Sequence, residues 1–266
     1  MIKQLFRSEA AVSTCSIGIL LFITIIIVLQ SKTVNMSENQ IQDKSAIDLT
    51  TENTAQETFQ EIGFFGEVKK DKWNEFVGAV RNNIANSRKE QHNISFSLYQ
   101  PKDGQLQPIW FERFDNKAAH DFHKEQNYFK NAITVIQQSL VADAKSITLK
   151  VLDEIPVITP KISPRTATSH FVIMLLEIEP HHRETFIVAM TRHISSSRKA
   201  RGNLEFNLYS YADDPNKFVL IEGWGRHTDY AAQLEKAHIK QWTAELKELF
   251  LSNPMNSRYI VKDISQ

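Results

Sequence analysis

The chain has 266 residues, enough for about two ordinary domains. Apolar residues make up 42% and charged residues 23%, which excludes a disordered or collagen-like chain. Lys and Arg balance Asp and Glu at 31 each with no dominant basic run, which argues against nucleic acid as a partner.

Residues 10–29 carry no charge and include a strongly apolar run from Ile17 to Leu29. Twenty helical residues span roughly 30 Å, enough for a bilayer's hydrocarbon core. Lys3 and Arg7 precede this segment, and acidic residues outnumber Lys32 and Lys44 in the stretch that follows it. The positive-inside rule therefore predicts a cytoplasmic terminus at 1–9, a single-pass transmembrane anchor at 10–29 and extracytoplasmic domains. A cleaved signal peptide is the competing reading, although Gln30-Ser31-Lys32 and Val34-Asn35-Met36 make poor cleavage sites. The single cysteine, Cys15, lies in this segment, so the rest of the chain has no disulfide and no cysteine-based metal site. Residues 30–57 are polar, lack aromatics and read as a flexible linker.

Beyond the linker the chain repeats itself. Ser87-Arg88-Lys89 and Asn93-Ile94-Ser95-Phe96-Ser97-Leu98-Tyr99 return as Ser197-Arg198-Lys199 and Asn203-Leu204-Glu205-Phe206-Asn207-Leu208-Tyr209, at a constant offset of 110. The offset persists through Glu112/Glu222 and Phe114/Trp224. Each copy opens on an apolar stretch that predicts a strand, 58–68 or 168–178. An amphipathic helix follows over 71–89 or 180–199, with Trp73, Phe76, Val77, Val80 and Ile84 on one face of the first. In the second, Phe186, Ile187, Met190 and Ile194 form the matching face. Alternating strands at 93–99 and 203–209 put positions 94/96/98 and 204/206/208 on one side. Turns near Asp103-Gly104 and Asp214-Pro215 lead back through 109–114 and 218–224. Two short helices then precede a last strand, 146–155 or 257–264. The order is β-α-β-β-α-β, a ferredoxin-like unit, and it predicts an α+β fold with repeats at 58–156 and 166–266.

The run Glu112-Arg113-Phe114…His123…Tyr128-Phe129, and its counterpart Glu222-Gly223-Trp224…Gln233…His238-Ile239, resembles the antibiotic biosynthesis monooxygenase (ABM) domain family. The stretch from Asn203 to Trp224 is similar to that family's most typical segment. The resemblance implies domains that pair sheet to sheet, so two copies in one chain imply an intramolecular dimeric α+β barrel, a pseudo-dimer that could associate further. A sheet with helices on one face needs cover on the other, and a tethered second copy supplies it.

The resemblance also implies oxidation of quinol-like or aromatic small molecules with O2, without metal or flavin. Such chemistry needs an apolar pocket with a placed base, for which histidine is the natural candidate. The family pattern points to His123 in the first copy and His238 in the second as catalytic. Tyr99, Glu112, Tyr128, Tyr209, Glu222 and Trp224 are the expected substrate contacts. Each copy keeps one family histidine and lacks the other, so one pocket works, or neither does. The alternative is a non-catalytic ligand-binding or scaffolding protein that retains the fold. Haem degradation, known in the superfamily, does not fit, because its Trp and His positions hold His123 and Ile133, or Gln233 and Thr243. His181 and His182 are adjacent on a helix and point about 100° apart, so they do not chelate together. No HExxH, CxxC, P-loop, GxGxxG or G-x-S-x-G motif occurs.

Overall fold

A computed structural model describes residues 57–163 and 166–266. The first repeat comprises β1 (Phe59–Phe64), α1 (Trp73–Ser87), β2 (Asn93–Pro101), β3 (Ile109–Phe114), α2 (Lys117–Lys124), α3 (Asn127–Ser139) and β4 (Lys145–Val151). The second comprises β5 (His170–Glu177), α4 (Arg183–Arg198), β6 (Asn203–Tyr211), β7 (Lys217–Trp224), α5 (His227–Leu234), α6 (Ala237–Leu246) and β8 (Arg258–Asp263). The expected helices at 71–89 and 180–199 begin as short 3-10 turns at Lys70–Lys72 and Pro180–His182.

The eight strands close into a barrel in the order β1-β3-β2-β8-β5-β7-β6-β4. Within each repeat the antiparallel pairs are those of a ferredoxin-like sheet. The two sheets meet where β2 pairs with β8 and β4 pairs with β6. Every edge strand of one repeat is thus hydrogen-bonded to the other, and closure leaves no edge exposed.

Strand alternation then divides the core into three layers. Inward positions such as Ile62, Phe111, Phe171, Ile173 and Ile221 fill the barrel. Outward positions pack under the helices, Phe96 and Leu98 against Phe76, Val80 and Ile84 in the first repeat. Phe206, Leu208 and Leu220 meet Phe186, Met190 and Ile194 in the second. One residue departs from the expected alternation. The register of β6 against β7 shifts between Asn203 and Glu205, and this bulge turns Leu204 into the barrel rather than toward the helices with Phe206 and Leu208. The same shift occurs in β2 between Asn93 and Ser95.

The expected transmembrane anchor at 10–29 lies outside the described residues. Among the described residues no helix is long and apolar enough to cross a membrane. The longest, α4, has 16 residues; at 1.5 Å per residue it reaches only ~24 Å. The single-pass membrane placement drawn from the sequence is therefore not supported.

Candidate functional site

The repeats use the space between sheet and helices differently. In the second, a cavity of about 630 Å³ lies between the outer sheet face and α4, α5 and α6. Met174 and Leu176 of β5, Phe206 of β6, Leu220 of β7 and Ile239 and Leu246 of α6 supply its apolar walls. Its polar groups include Glu222, Arg258, Tyr230, Gln233, His193 and Trp242 near the interior, with exposed Leu234, Thr243, Lys247, Glu248, Leu251 and Met255 toward solvent.

Glu222 is the titratable centre of this cavity. Burial pushes its carboxyl up to about 7, against the pull of a Trp224 hydrogen bond and the Arg258 charge. The indole Nε1–H of Trp224 donates to Glu222 Oε2 at 3.0 Å. Arg258 donates to the Tyr230 hydroxyl. Gln233 is buried, and its Nε2 donates to Ser197 Oγ at 3.0 Å, which fixes the amide orientation. His193 stacks flat on Trp242, with ring centroids 3.9 Å apart and 9° between planes. Spacing explains why His193 is there: it follows Phe186 and Met190 by a helical seven and three, on the apolar stripe of α4.

In the first repeat the corresponding residues pack differently. Trp110 stands where the second repeat has Leu220, and its indole lies over Gly63, whose added Cβ would meet Trp110 Cζ2 at 1.9 Å. The ring also packs on Phe65 at 4.4 Å. The polar groups left there pair with one another. His123 is fully buried, with Nδ1 2.8 Å from Glu90 Oε1, and Tyr128 donates to the same carboxylate. Phe96, Phe114 and Phe129 enclose the His123 ring at centroid distances of 5.9, 5.3 and 5.1 Å. Glu112 lies opposite Glu61 across β1 and β3, with His120 Nε2 3.4 Å from its Oε1. Burial, and then Glu112, raise the Glu61 carboxyl to about 6.

The expected site residues are thus dispersed. Glu222 lines the cavity, and Trp224 is fully buried behind it. His123, Glu112 and Tyr128 belong to the first repeat. Tyr99 and Tyr209 sit on the opposite sheet face, inside the barrel, where Tyr99 packs on Phe171 at 5.0 Å. His238 falls in the first turn of α6, and its side chain lies outside the described residues. Among the described residues no group of three or more His, Cys, Asp or Glu could hold a metal ion.

A wider opening of about 790 Å³ lies where the repeats join, edged by Phe64, Lys102, Lys145 and Tyr259. It has no histidine, and its one carboxylate, Asp103, is exposed. An enclosed acid–base group beside apolar walls is found instead in the second repeat's cavity, and the chemistry points there.

The family model for antibiotic biosynthesis monooxygenase matches residues 61–135 and again 169–245, more than half of the chain. The chain belongs to the antibiotic biosynthesis monooxygenase family. YcnE of Bacillus subtilis (strain 168), which carries a provisional monooxygenase name, is 30% identical over 81 residues, covering 30% of this chain and 84% of its own. Two solved structures with the same provisional name align across both ABM repeats. One, from Lactobacillus acidophilus NCFM, has a TM-score of 0.67 at 18% identity and covers 79% of this chain and 94% of its own. The other, from Fusobacterium nucleatum, has a TM-score of 0.72 at 16% identity, with 79% and 93% covered. At such identities the likeness concerns the fold, in which two ABM repeats form one barrel.

Proposed function

We propose that the chain is an O2-dependent monooxygenase of quinol-like or aromatic small molecules, with its reaction confined to the cavity of the second repeat. The observation that carries this reading is Glu222, a half-buried residue lining the cavity beside apolar walls, with its carboxyl raised to about 7. A base must be ionised to take a proton, yet basic enough to hold it, and a value near the working pH meets both needs. In this reading Glu222 takes the substrate's acidic proton. The Trp224 N–H, 3.0 Å away, stabilises the carboxylate, and Arg258 offsets negative charge as the substrate anion forms. That anion then passes an electron to O2, and the apolar walls keep water from the reactive species. His238, on α6, remains a candidate second acid–base group.

In this reading the first repeat serves as structural partner, its polar groups His123, Glu90 and Tyr128 being engaged with one another. The test is O2 uptake by the full chain on a panel of quinols and phenols, with Glu222→Gln as the variant. Glu222→Gln is expected to lower kcat by about 10²- to 10⁴-fold, the usual range for loss of a general base. Ligand binding without O2 uptake would instead favour a non-catalytic binding protein. Full activity in Glu222→Gln would remove the carboxylate from the mechanism.

A further inference from the structure

The two half-sites differ where one repeat reaches into the other. Beyond the equivalent strands β2 and β6, the backbone of Lys102 donates to Ile260 C=O at 2.9 Å. At the matching seam Ala212 donates to Thr148 C=O, also at 2.9 Å. The two backbones are thus placed alike, and only the side chains differ. Strand pairing likewise makes His170 the counterpart of Phe59, since His170 is opposite Trp224 and Phe59 is opposite Phe114. Lys102 crosses the seam from the surface and sets Nζ 3.0 Å from His170 Nδ1. The other seam has Ala212 and Phe59, so neither member of this pair exists there.

The lysine adds to burial in setting the state of the imidazole. An ammonium only donates, so His170 Nδ1 accepts and the ring proton sits on Nε2. Four groups face this ring: Lys102 from the first repeat, His227 and Tyr230 from α5, and Arg258 from β8. Burial, then the charges of Lys102, His227 and Arg258, push His170 down to about 4, so the ring is neutral at neutral pH. The neutral ring stacks on Tyr230, with centroids 4.5 Å apart and 27° between planes. Tyr230 forms part of the cavity wall, takes a hydrogen bond from Arg258 and feels the charge of Glu222.

We propose that Lys102, supplied by the first repeat, is a positioning residue for the second repeat's cavity: it locks the His170 tautomer, and through the stacked ring it seats Tyr230 beside Glu222. This rests on the reading of that cavity as the active site. Without Lys102 the imidazole is free to exchange tautomers and to take a proton in mild acid. The resulting cation would face Arg258 and the Tyr230 ring.

The experiment uses the full chain labelled with ¹⁵N-histidine and ring-labelled tyrosine, as wild type and as Lys102→Ala, Lys102→Arg and His170→Phe variants. Lys102→Ala and His170→Phe copy what the other seam already has, Ala212 and Phe59, and His170→Phe identifies the His170 signal by its loss. The wild-type His170 signal is expected to titrate near 4, to move upward in Lys102→Ala while burial, His227 and Arg258 still hold it below the ordinary ~6.5, and to stay low in Lys102→Arg. The Tyr230 ring signal is expected to shift in Lys102→Ala and in His170→Phe. O2 uptake is expected to fall about 10- to 100-fold in kcat in both variants, the scale of a misplaced site, with the acid limb of the rate profile becoming steeper in Lys102→Ala as a second protonation joins that of Glu222. An unmoved His170 titration or an unmoved Tyr230 signal in Lys102→Ala overturns the proposal, as does an unchanged pH profile. If the wild type oxidises no substrate, the functional reading fails by itself, and the titration and tyrosine signals still decide whether Lys102 positions Tyr230.

Discussion

Burial raises the Glu222 carboxyl from its ordinary 4.5 to about 7, so the folded chain holds this proton more tightly than the unfolded chain does. Its contribution to stability is therefore complete below the unfolded value and is lost as pH rises through about 7. The full difference corresponds to roughly 3 kcal/mol. Glu222→Gln is expected to flatten the dependence of stability on pH between 5 and 8, measured by urea denaturation at each pH. Glu61, raised to about 6, leaves a smaller slope of the same sign. A slope identical to wild type would mean that the Glu222 carboxyl is solvated. The site was legible at this scale only in part. Glu222 and Trp224 stand in a recognisable run of sequence, and His193 is marked by its spacing on α4. Tyr230, Arg258, His170 and Lys102 carry no such mark, because they come from four separate segments that only the closed barrel brings together.

At the scale of elements, one strand pair packs differently in the two repeats. Gly63 and Trp110 are paired across β1 and β3, whereas Met174 and Leu220 hold those places in β5 and β7. The glycine has no side chain, and the indole takes that room. Gly63→Ala is expected to destabilise the chain by about 1–3 kcal/mol, since the added methyl overpacks a filled layer. Combining it with Trp110→Leu should recover part of that loss, because the smaller side chain admits the methyl. Thermal denaturation of both single variants and the double variant measures the coupling, and strict additivity would refute it. The elements themselves were largely readable. Helical and strand periodicities located all fourteen, with ends differing by a few residues where 3-10 turns or fraying intervene. The bulge at Asn203–Glu205 was not readable, because it depends on how β6 registers against β7.

For the whole molecule, the barrel interior joins the repeats through a buried ion pair. Arg113 of β3 donates to Glu205 of β6, and also to Tyr209 Oη at 2.9 Å and Ser95 Oγ at 2.8 Å. Asn207 Nδ2 donates to the same Glu205 oxygen at 3.0 Å. Both charges are enclosed, and burial drives the Glu205 carboxyl upward even against the nearby guanidinium. Removing one partner strands the other, so Glu205→Leu is expected to cost about 3–5 kcal/mol. The two repeats are also expected to unfold in one calorimetric transition, since β2, β4, β6 and β8 each pair across the seam. Two separate transitions would show that each repeat is stable alone.

The sequence by itself determined that one α+β unit is written twice, a local fact that rests on periodicity and on a fixed offset along the chain. The pseudo-dimer was what the family resemblance implied, and the closed barrel bears it out. Tertiary structure alone decided which copy keeps an open cavity and which residues from the other copy reach it. Those outcomes depend on volumes and distances across strand pairs that lie far apart in sequence, such as Gly63 with Trp110 and Lys102 with His170.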